Sequence, residues 1–212
     1  MLTLAAGLLA GAVQGETVNF DRATPGQLPP GWSSAITGSG EPRWTVEKDD
    51  TAPSKSNVLK QSAETPRPSY PLCVKADTNL QDGFVEVKFK SVSGKIDQAA
   101  GVVWRYQDKD NYYICRPNAL EDNVVLYKVE KGKRTALDIV GRKGGYGVAA
   151  PVAKAQWHTL RVTFAGNAFA VVLNGKKLFD VQDDTFKAAG KVGLWTKSDS
   201  VMLFDDFSYR AK

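Results

Sequence analysis

The feature that most limits what this chain can become is a period-two alternation of apolar and polar residues, clearest in GFVEVKFKSV at residues 83–92. Successive side chains of a strand point to opposite faces, so Val85, Val87 and Phe89 fall on one side and Phe84, Glu86 and Lys88 on the other. The first face suits a core and the second suits water. Short runs of the same kind, rich in Val, Phe, Tyr and Trp, recur between turn signals, and hardly any window sustains helical periodicity. Further strands are expected at residues 43–47, 57–61 and 70–74, and in KVGLWT and SVMLFDDFSYR. VVLYKVEKGKRTALDIV predicts a hairpin turning at Lys131-Gly132. WHTLRVTFAGNAFAVVLNGKKLFDV predicts three strands joined at Ala165-Gly166-Asn167 and at Asn174-Gly175, where both residues of the Asn-Gly pair tolerate positive φ. Only DDTFKAAG (183–190) allows a helical turn. Roughly ten to twelve short strands with a turn signal every 8–12 residues predict an all-β fold, a two-sheet antiparallel β-sandwich or jelly roll. Such sheets are commonly curved, which leaves one concave face as a groove for an extended ligand.

A chain of 212 residues fits one generous domain. The opening MLTLAAGLLAGAVQG carries no charge, an apolar run from Leu2 to Val13, and Val13 and Gly15 at the −3 and −1 positions of a signal-peptidase site. Residues 1–15 therefore read as a signal peptide and residues 16–212 as a single exported domain, periplasmic or extracellular. About 15 residues are too few to span a bilayer, and no later run approaches ~18 apolar residues, so no transmembrane segment is expected in the mature chain. Cys73 and Cys115 would then enter an oxidising compartment, where one disulfide and two separate buried thiols are equally open. The net charge of +5 comes from lysines and arginines scattered singly among 23 acids, a solvated surface and not a nucleic-acid stripe. The densest basic spot, GRKGGYG (141–147), lacks phosphate-loop spacing and reads as a glycine-rich surface loop.

The stretch GVVWRYQDKDNYYICRPNALEDN (101–123) is crowded with rings, guanidiniums and carboxylates. With Gln107 to Asp110 as a turn, antiparallel pairing opposes Arg105 with Tyr112, Trp104 with Tyr113, Val103 with Ile114 and Gly101 with Arg116. Alternation then puts Trp104, Tyr113, Val102 and Cys115 on a core face, and Arg105, Tyr112, Val103, Ile114 and Arg116 on the other. Sugars are held by stacking their apolar patches on aromatic rings and by hydrogen bonds to their hydroxyls. The candidate ligand-binding set is accordingly Tyr112 as the stacking ring with Arg105, Arg116, Asn118, Glu121 and Asn123 as hydrogen-bonding groups. The competing reading makes the rings ordinary strand formers and pairs the arginines with carboxylates such as Glu86.

Catalytic signals are sparse. The single histidine, His158, lies in an alternating WHTLRV run that predicts a packed residue, and no GxSxG accompanies it. Glycoside cleavage needs two carboxylates flanking the bond, ~5 Å apart for retention or ~6.5–9.5 Å for inversion. Glu86 and Glu121 are the candidate acid or base, without a recognisable catalytic carboxylate motif. Asp205 and Asp206 are adjacent on a strand and point to opposite faces. With Asp21 they define a candidate calcium site, the alternative being carboxylates that cap backbone N–H groups. No other cofactor is expected.

The runs GVVWRYQDKDNYYICRPNALEDNVVLYKV, WHTLRV, VVLNGKKLFD and AGKVGLWTKSDSVMLFDDF together resemble the concanavalin A-like lectin/glucanase superfamily. Within it they are most similar to bacterial secreted domains related to the 3-keto-disaccharide hydrolase domain family, over roughly residues 17–210. The resemblance implies a two-sheet jelly roll, export, and a carbohydrate or glycoside as partner. The acidic cluster of laminarinase-type relatives has no counterpart, and AAGVVWRY replaces the asparagine-serine-glycine and aromatic-arginine pattern of the hydrolases, of which Arg105 alone carries over. The leading expectation is a carbohydrate-binding sandwich. A glycoside hydrolase and a non-catalytic structural or interaction domain of the cell envelope are the alternatives.

Overall fold

A computed structural model describes residues 15–212, all of them in strands, turns and loops. The signal-peptide segment lies almost wholly outside the described residues. Sixteen strands are present among those described: β1 (Glu16–Val18), β2 (Trp32–Thr37), β3 (Trp44–Lys48), β4 (Asn57–Gln61), β5 (Tyr70–Lys75), β6 (Gly83–Ser93), β7 (Ala100–Asp108), β8 (Asn111–Asn118), β9 (Asn123–Glu130), β10 (Lys133–Ala136), β11 (Val148–Ala149), β12 (Trp157–Ala165), β13 (Ala168–Leu173), β14 (Lys176–Gln182), β15 (Lys191–Thr196) and β16 (Val201–Ala211). They form two antiparallel sheets. The first runs β14-β13-β12-β6-β16-β4-β3 with β1 added to β16, and the second runs β10-β9-β8-β7-β15-β5-β2 with β11 added to β9. The stretch 183–190, which allows a helical turn, does not form one.

Hairpins turn where local chemistry directs them. Lys131-Gly132 and Asn174-Gly175 join β9 to β10 and β13 to β14, each pair with both φ positive, at 52° and 75° and at 50° and 76°. Two positive φ values match the right-handed twist of the flanking strands. Between the sheets, alternate residues of both interdigitate: Val85, Val87 and Phe89 of β6, Leu160, Val162 and Phe164 of β12, and Trp104, Tyr113 and Cys115 of the second sheet. Trp104 stacks on Tyr113 and Phe164 and meets Phe169 edge-on. His158 is packed as its pattern predicts, over Phe89 and hydrogen-bonded to Ala153 O and to the Asn174 side chain.

The cysteines take the second of the two open readings, as buried free thiols. Register explains it. Cys73 pairs with Leu194, Leu194 with Val102, and Val102 with Cys115, so the two cysteines sit in one row, three strand spacings apart. That is about 14 Å, twice the Cα separation a disulfide can bridge. Burial pushes both thiols up from their ordinary value. The folded protein is expected to resist thiol-specific alkylation, and its melting temperature to be unchanged by reductant. Mass spectrometry after iodoacetamide and a thermal melt with and without dithiothreitol check both.

Candidate functional site on the outer face of the second sheet

The face of the second sheet that turns away from the first carries its own buried cluster: Tyr70, Leu72, Val74, Val103, Tyr112, Ile114, Val125, Tyr127, Val129 and Trp195. No strand of the first sheet covers it. The face is instead closed by its own side chains. Arg134 of β10 lies with its guanidinium carbon 4.4 Å from the Tyr127 ring centroid, 4.7 Å from Tyr70 and 5.7 Å from Trp195. Tyr127 is on β9 and Tyr70 on β5, four strand steps away, or about 19 Å in a flat sheet. Two rings from such distant strands converge on one guanidinium only if the face is concave. Tyr70, Arg134 and Tyr127 bridge the groove over Trp195, Ile114 and Val103.

At the β9 end of the groove sits a polar cluster. Arg116 is on this face, as alternation predicts, and is fully buried. Its guanidinium donates to Glu121 Oε2 at 2.9 Å, Tyr127 OH at 3.0 Å, Tyr146 OH at 2.8 Å and the Asn123 side-chain oxygen. Asn123 Nδ2 donates to Glu121 Oε2 at 3.0 Å. Asn118, also buried, donates through Nδ2 to Glu121 Oε1 and to Asp97 Oδ1, each at 3.0 Å, and Lys197 Nζ holds Asp97 Oδ1 at 2.9 Å. Since both carboxylate oxygens lie 3.0 Å from one nitrogen, they are at most 6.0 Å apart. Burial raises the Glu121 carboxyl, but the Arg116 charge and the hydrogen bonds from Asn123 and Arg116 outweigh it and hold the group below its ordinary value. Glu121 is an ionised acceptor whose side chain is 33% exposed.

Tyr146 is the exposed ring of the site, at 48%. It comes from the 141–147 loop and is tied down at both ends. Its hydroxyl also meets Tyr127 OH at 2.5 Å. The next residue, Gly147, has φ 61°, and a Cβ there would run into the Val124 carbonyl, so only glycine lets the loop press against β9. The basic glycine-rich stretch is thus a loop, as expected, but one that delivers a ring to the groove.

Two of the expected binding residues are not presented to the groove. Arg105 does not share a face with Tyr112. The hairpin keeps the expected pairs Val103–Ile114 and Trp104–Tyr113, then slips, so that Asp108 faces Asn111 across a tighter turn at Lys109-Asp110. The extra residues bulge out of β7, with Arg105 at φ 46° and Gly190 packed against its backbone. A bulge re-aims side chains. The Arg105 guanidinium reaches the end of the sandwich, over the Phe169 ring, and donates to Gln81 O at 3.1 and 3.0 Å, Phe186 O at 2.8 Å and Gly166 O at 2.6 Å. It fastens three loops, with Asp82 Oδ1 3.4 Å from Nη2, and is buried at the end of the sandwich, away from the groove.

Tyr112 is on the groove face but at its floor, without exposed surface, its hydroxyl 2.7 Å from Thr37 Oγ1. It cannot present a ring to a ligand. Tyr112→Phe is expected to cost about 1 kcal/mol of stability, the net worth of one buried hydrogen bond, and to leave ligand affinity unchanged; urea unfolding and a binding titration check the two.

Glu86 is on the outer face of the other sheet, 3.5 Å from Arg161, and so cannot act with Glu121 across one ligand. Asp21 and Asp205 do meet, through Ser54, whose hydroxyl is 3.1 Å from Asp21 Oδ1 and whose N–H is 2.8 Å from Asp205 Oδ2. Asp21 also accepts from Ser56 Oγ and Asn57 N–H, and Asp206 pairs with Lys88 at 2.7 Å. Asp21 and Asp205 thus accept from hydroxyl and backbone N–H donors of residues 54–57. Asp97, Tyr127, Arg134, Tyr146 and Trp195 escaped the sequence reading. For Trp195 the signal was available, because alternation in KVGLWT sets it opposite Leu194, a core residue.

The fold is that of the concanavalin A-like sandwiches, here with a concave, aromatic and charged outer face. The 3-keto-alpha-glucoside-1,2-lyase-like domain model matches residues 18–210, and the chain belongs to that family. Among solved structures it is similar to the carbohydrate-binding module CBM66 from Bacillus subtilis, with a TM-score of 0.66 and 18% identity over 85% of this chain and 96% of that one. It is also similar to the cellulose induced protein Cip1 (TM-score 0.64, 12% identity, 93% and 97% covered) and to the Bacillus licheniformis beta-glucanase (TM-score 0.54, 12% identity, 96% and 99% covered). No curated protein matches the chain. Among the described residues no helix is long and apolar enough to cross a membrane.

Proposed function

We propose that this is an exported carbohydrate-binding domain that holds a saccharide in the groove of the second sheet, against the Tyr146 ring. The observation that carries the reading is the juxtaposition of that exposed ring with Glu121, Asn123 and Arg116, which are already locked in one hydrogen-bonded cluster. A pyranose stacks its C–H face on an aromatic ring while ordered carboxylate and amide groups take its hydroxyls. Because the cluster is assembled before the ligand arrives, little ordering entropy is lost on binding. Membership of a family named for glucosides and the likeness to a carbohydrate-binding module support the same ligand class. Export is the setting in which such a domain meets glycans, and the apolar leader supports it. A glycan array with the wild type, Tyr146→Ala and Glu121→Gln tests the reading: a saccharide signal lost in both variants is expected, and a signal unchanged in both contradicts it.

One observation favours turnover as a second reading. Glu121 is ionised and one-third exposed beside the Tyr146 ring, while Asp97, no more than 6.0 Å away through the Asn118 amide, is buried and serves to hold Asn118. In a 3-keto glucoside the C2 proton is acidified by the neighbouring ketone, and an ionised Glu121 is a base able to take it as the C1 substituent leaves. Incubation with a 3-keto α-glucoside should then release the aglycone, with Glu121→Gln silent. Absence of release by the wild type removes this reading and leaves binding.

A further inference from the structure

Two buried cations beside the groove are answered by an anion. Arg116 has Glu121 and Lys197 has Asp97. Arg134 has none: it takes part in no ion pair and no side-chain hydrogen bond among the described residues, and its Nη1 is buried without an acceptor. The flat face of the guanidinium is satisfied by Tyr127, Tyr70 and Trp195, but Nη1 is sealed from solvent with no acceptor, and the rest of the half-buried donor edge has no partner among the described residues. A stacked surface arginine keeps that edge in water. Leaving even one charged donor dry and unpaired is costly, and a buried donor without an acceptor calls for a partner that the protein itself does not supply. Arg116 shows the same deficit, with Nε buried and unpaired. The two guanidinium carbons lie 4.4 and 5.7 Å from the one Tyr127 centroid, hence no more than about 10 Å apart, a distance that a disaccharide spans.

We infer that the saccharide taken by this groove is acidic, a uronic-acid-containing oligosaccharide whose carboxylate accepts from Arg134 while a neighbouring ring lies on Tyr146. The inference rests on the groove being the saccharide site and adds the charge of the ligand. A carboxylate matches the planar fork of a guanidinium in two parallel hydrogen bonds, which hydroxyls cannot do. Arg134 also stands on β10, a four-residue edge strand bonded only to β9, so it can shift toward a ligand without disturbing the sheet.

The test is titration calorimetry with oligogalacturonate, oligoalginate and glucuronoxylan oligosaccharides, each beside its carboxyl-reduced neutral form. For at least one pair the acid form should bind ~10-fold or more tightly than the neutral form, the scale of one charge-assisted pair. Arg134→Gln should remove that preference while keeping the neutral affinity, and Arg134→Lys should keep part of it; thermal melts of both variants establish that they fold. Equal affinity for acid and neutral forms, or a preference that survives Arg134→Gln, overturns the inference and leaves saccharide binding standing. Binding of neutral saccharides alone does the same, and no saccharide binding of either kind overturns both.

Discussion

Arg105→Ala is expected to lower the unfolding free energy by about 3–5 kcal/mol, the range for removing one partner of a buried charged network. The side chain donates to carbonyls of three loops, before β6, in the β12–β13 turn and before β15, and so ties them together. Deleting it leaves those carbonyls without their donor and opens a void beside Phe169. Arg105→Lys should recover little, since an ammonium cannot reproduce the fork. Chemical denaturation gives the stability. A sugar titration of the surviving folded fraction should be unchanged, because Arg105 is at the end of the sandwich and not in the groove. A stable Arg105→Ala variant with lost affinity would return Arg105 to the binding set.

Arg116→Met combines a stability loss of similar size, about 3–5 kcal/mol, with loss of saccharide binding. It removes the donor that orders Glu121, Asn123, Tyr127 and Tyr146 at once, so the 141–147 loop should exchange its amide hydrogens faster. It also has a signature in pH. Glu121 is depressed below its ordinary 4.5 in the folded chain, so its contribution to stability is complete above about pH 4.5 and is lost as pH falls through the folded value. In Arg116→Met the Glu121 carboxyl should titrate higher, and the acid limb of the stability curve should flatten. NMR titration of the carboxyl carbon and stability measured between pH 3 and pH 7 test both. Wild-type acid sensitivity retained in the variant would show that the pair does not hold Glu121 down.

Strand content, the hairpin turns and the inward set around Trp104 were legible because period-two alternation and the Asn-Gly and Lys-Gly turns are local properties of the chain. Val103 opposite Ile114 and Trp104 opposite Tyr113 follow from them. What was not legible depends on neighbours distant in sequence. The bulge that turns Arg105 away needs Gly190 against its backbone, and Tyr70 meets Tyr127 only because the sheet order runs β9-β8-β7-β15-β5 and then curves. Tyr112 matched the sugar-stacking pattern, and alternation gave its face correctly. Whether a ring on that face is open or roofed is decided by Arg134 and Tyr70, which one strand cannot report. The same holds for Asp97, outside any strand, whose relation to Glu121 passes through the Asn118 amide.

The placement of ligand on the second sheet is tested most directly by the five tryptophan indoles. Trp32, Trp44 and Trp104 lie in the core between the sheets, Trp157 on the outer face of the first sheet with Leu203 and Val58, and Trp195 alone on the grooved face of the second. In a ¹⁵N-edited NMR titration with the tightest-binding oligosaccharide from the array, the Trp195 indole resonance should move with saturation while the other four stay in place. Movement of Trp157 with Trp195 unchanged, or no indole shift at saturating sugar, would contradict a saccharide site in the groove.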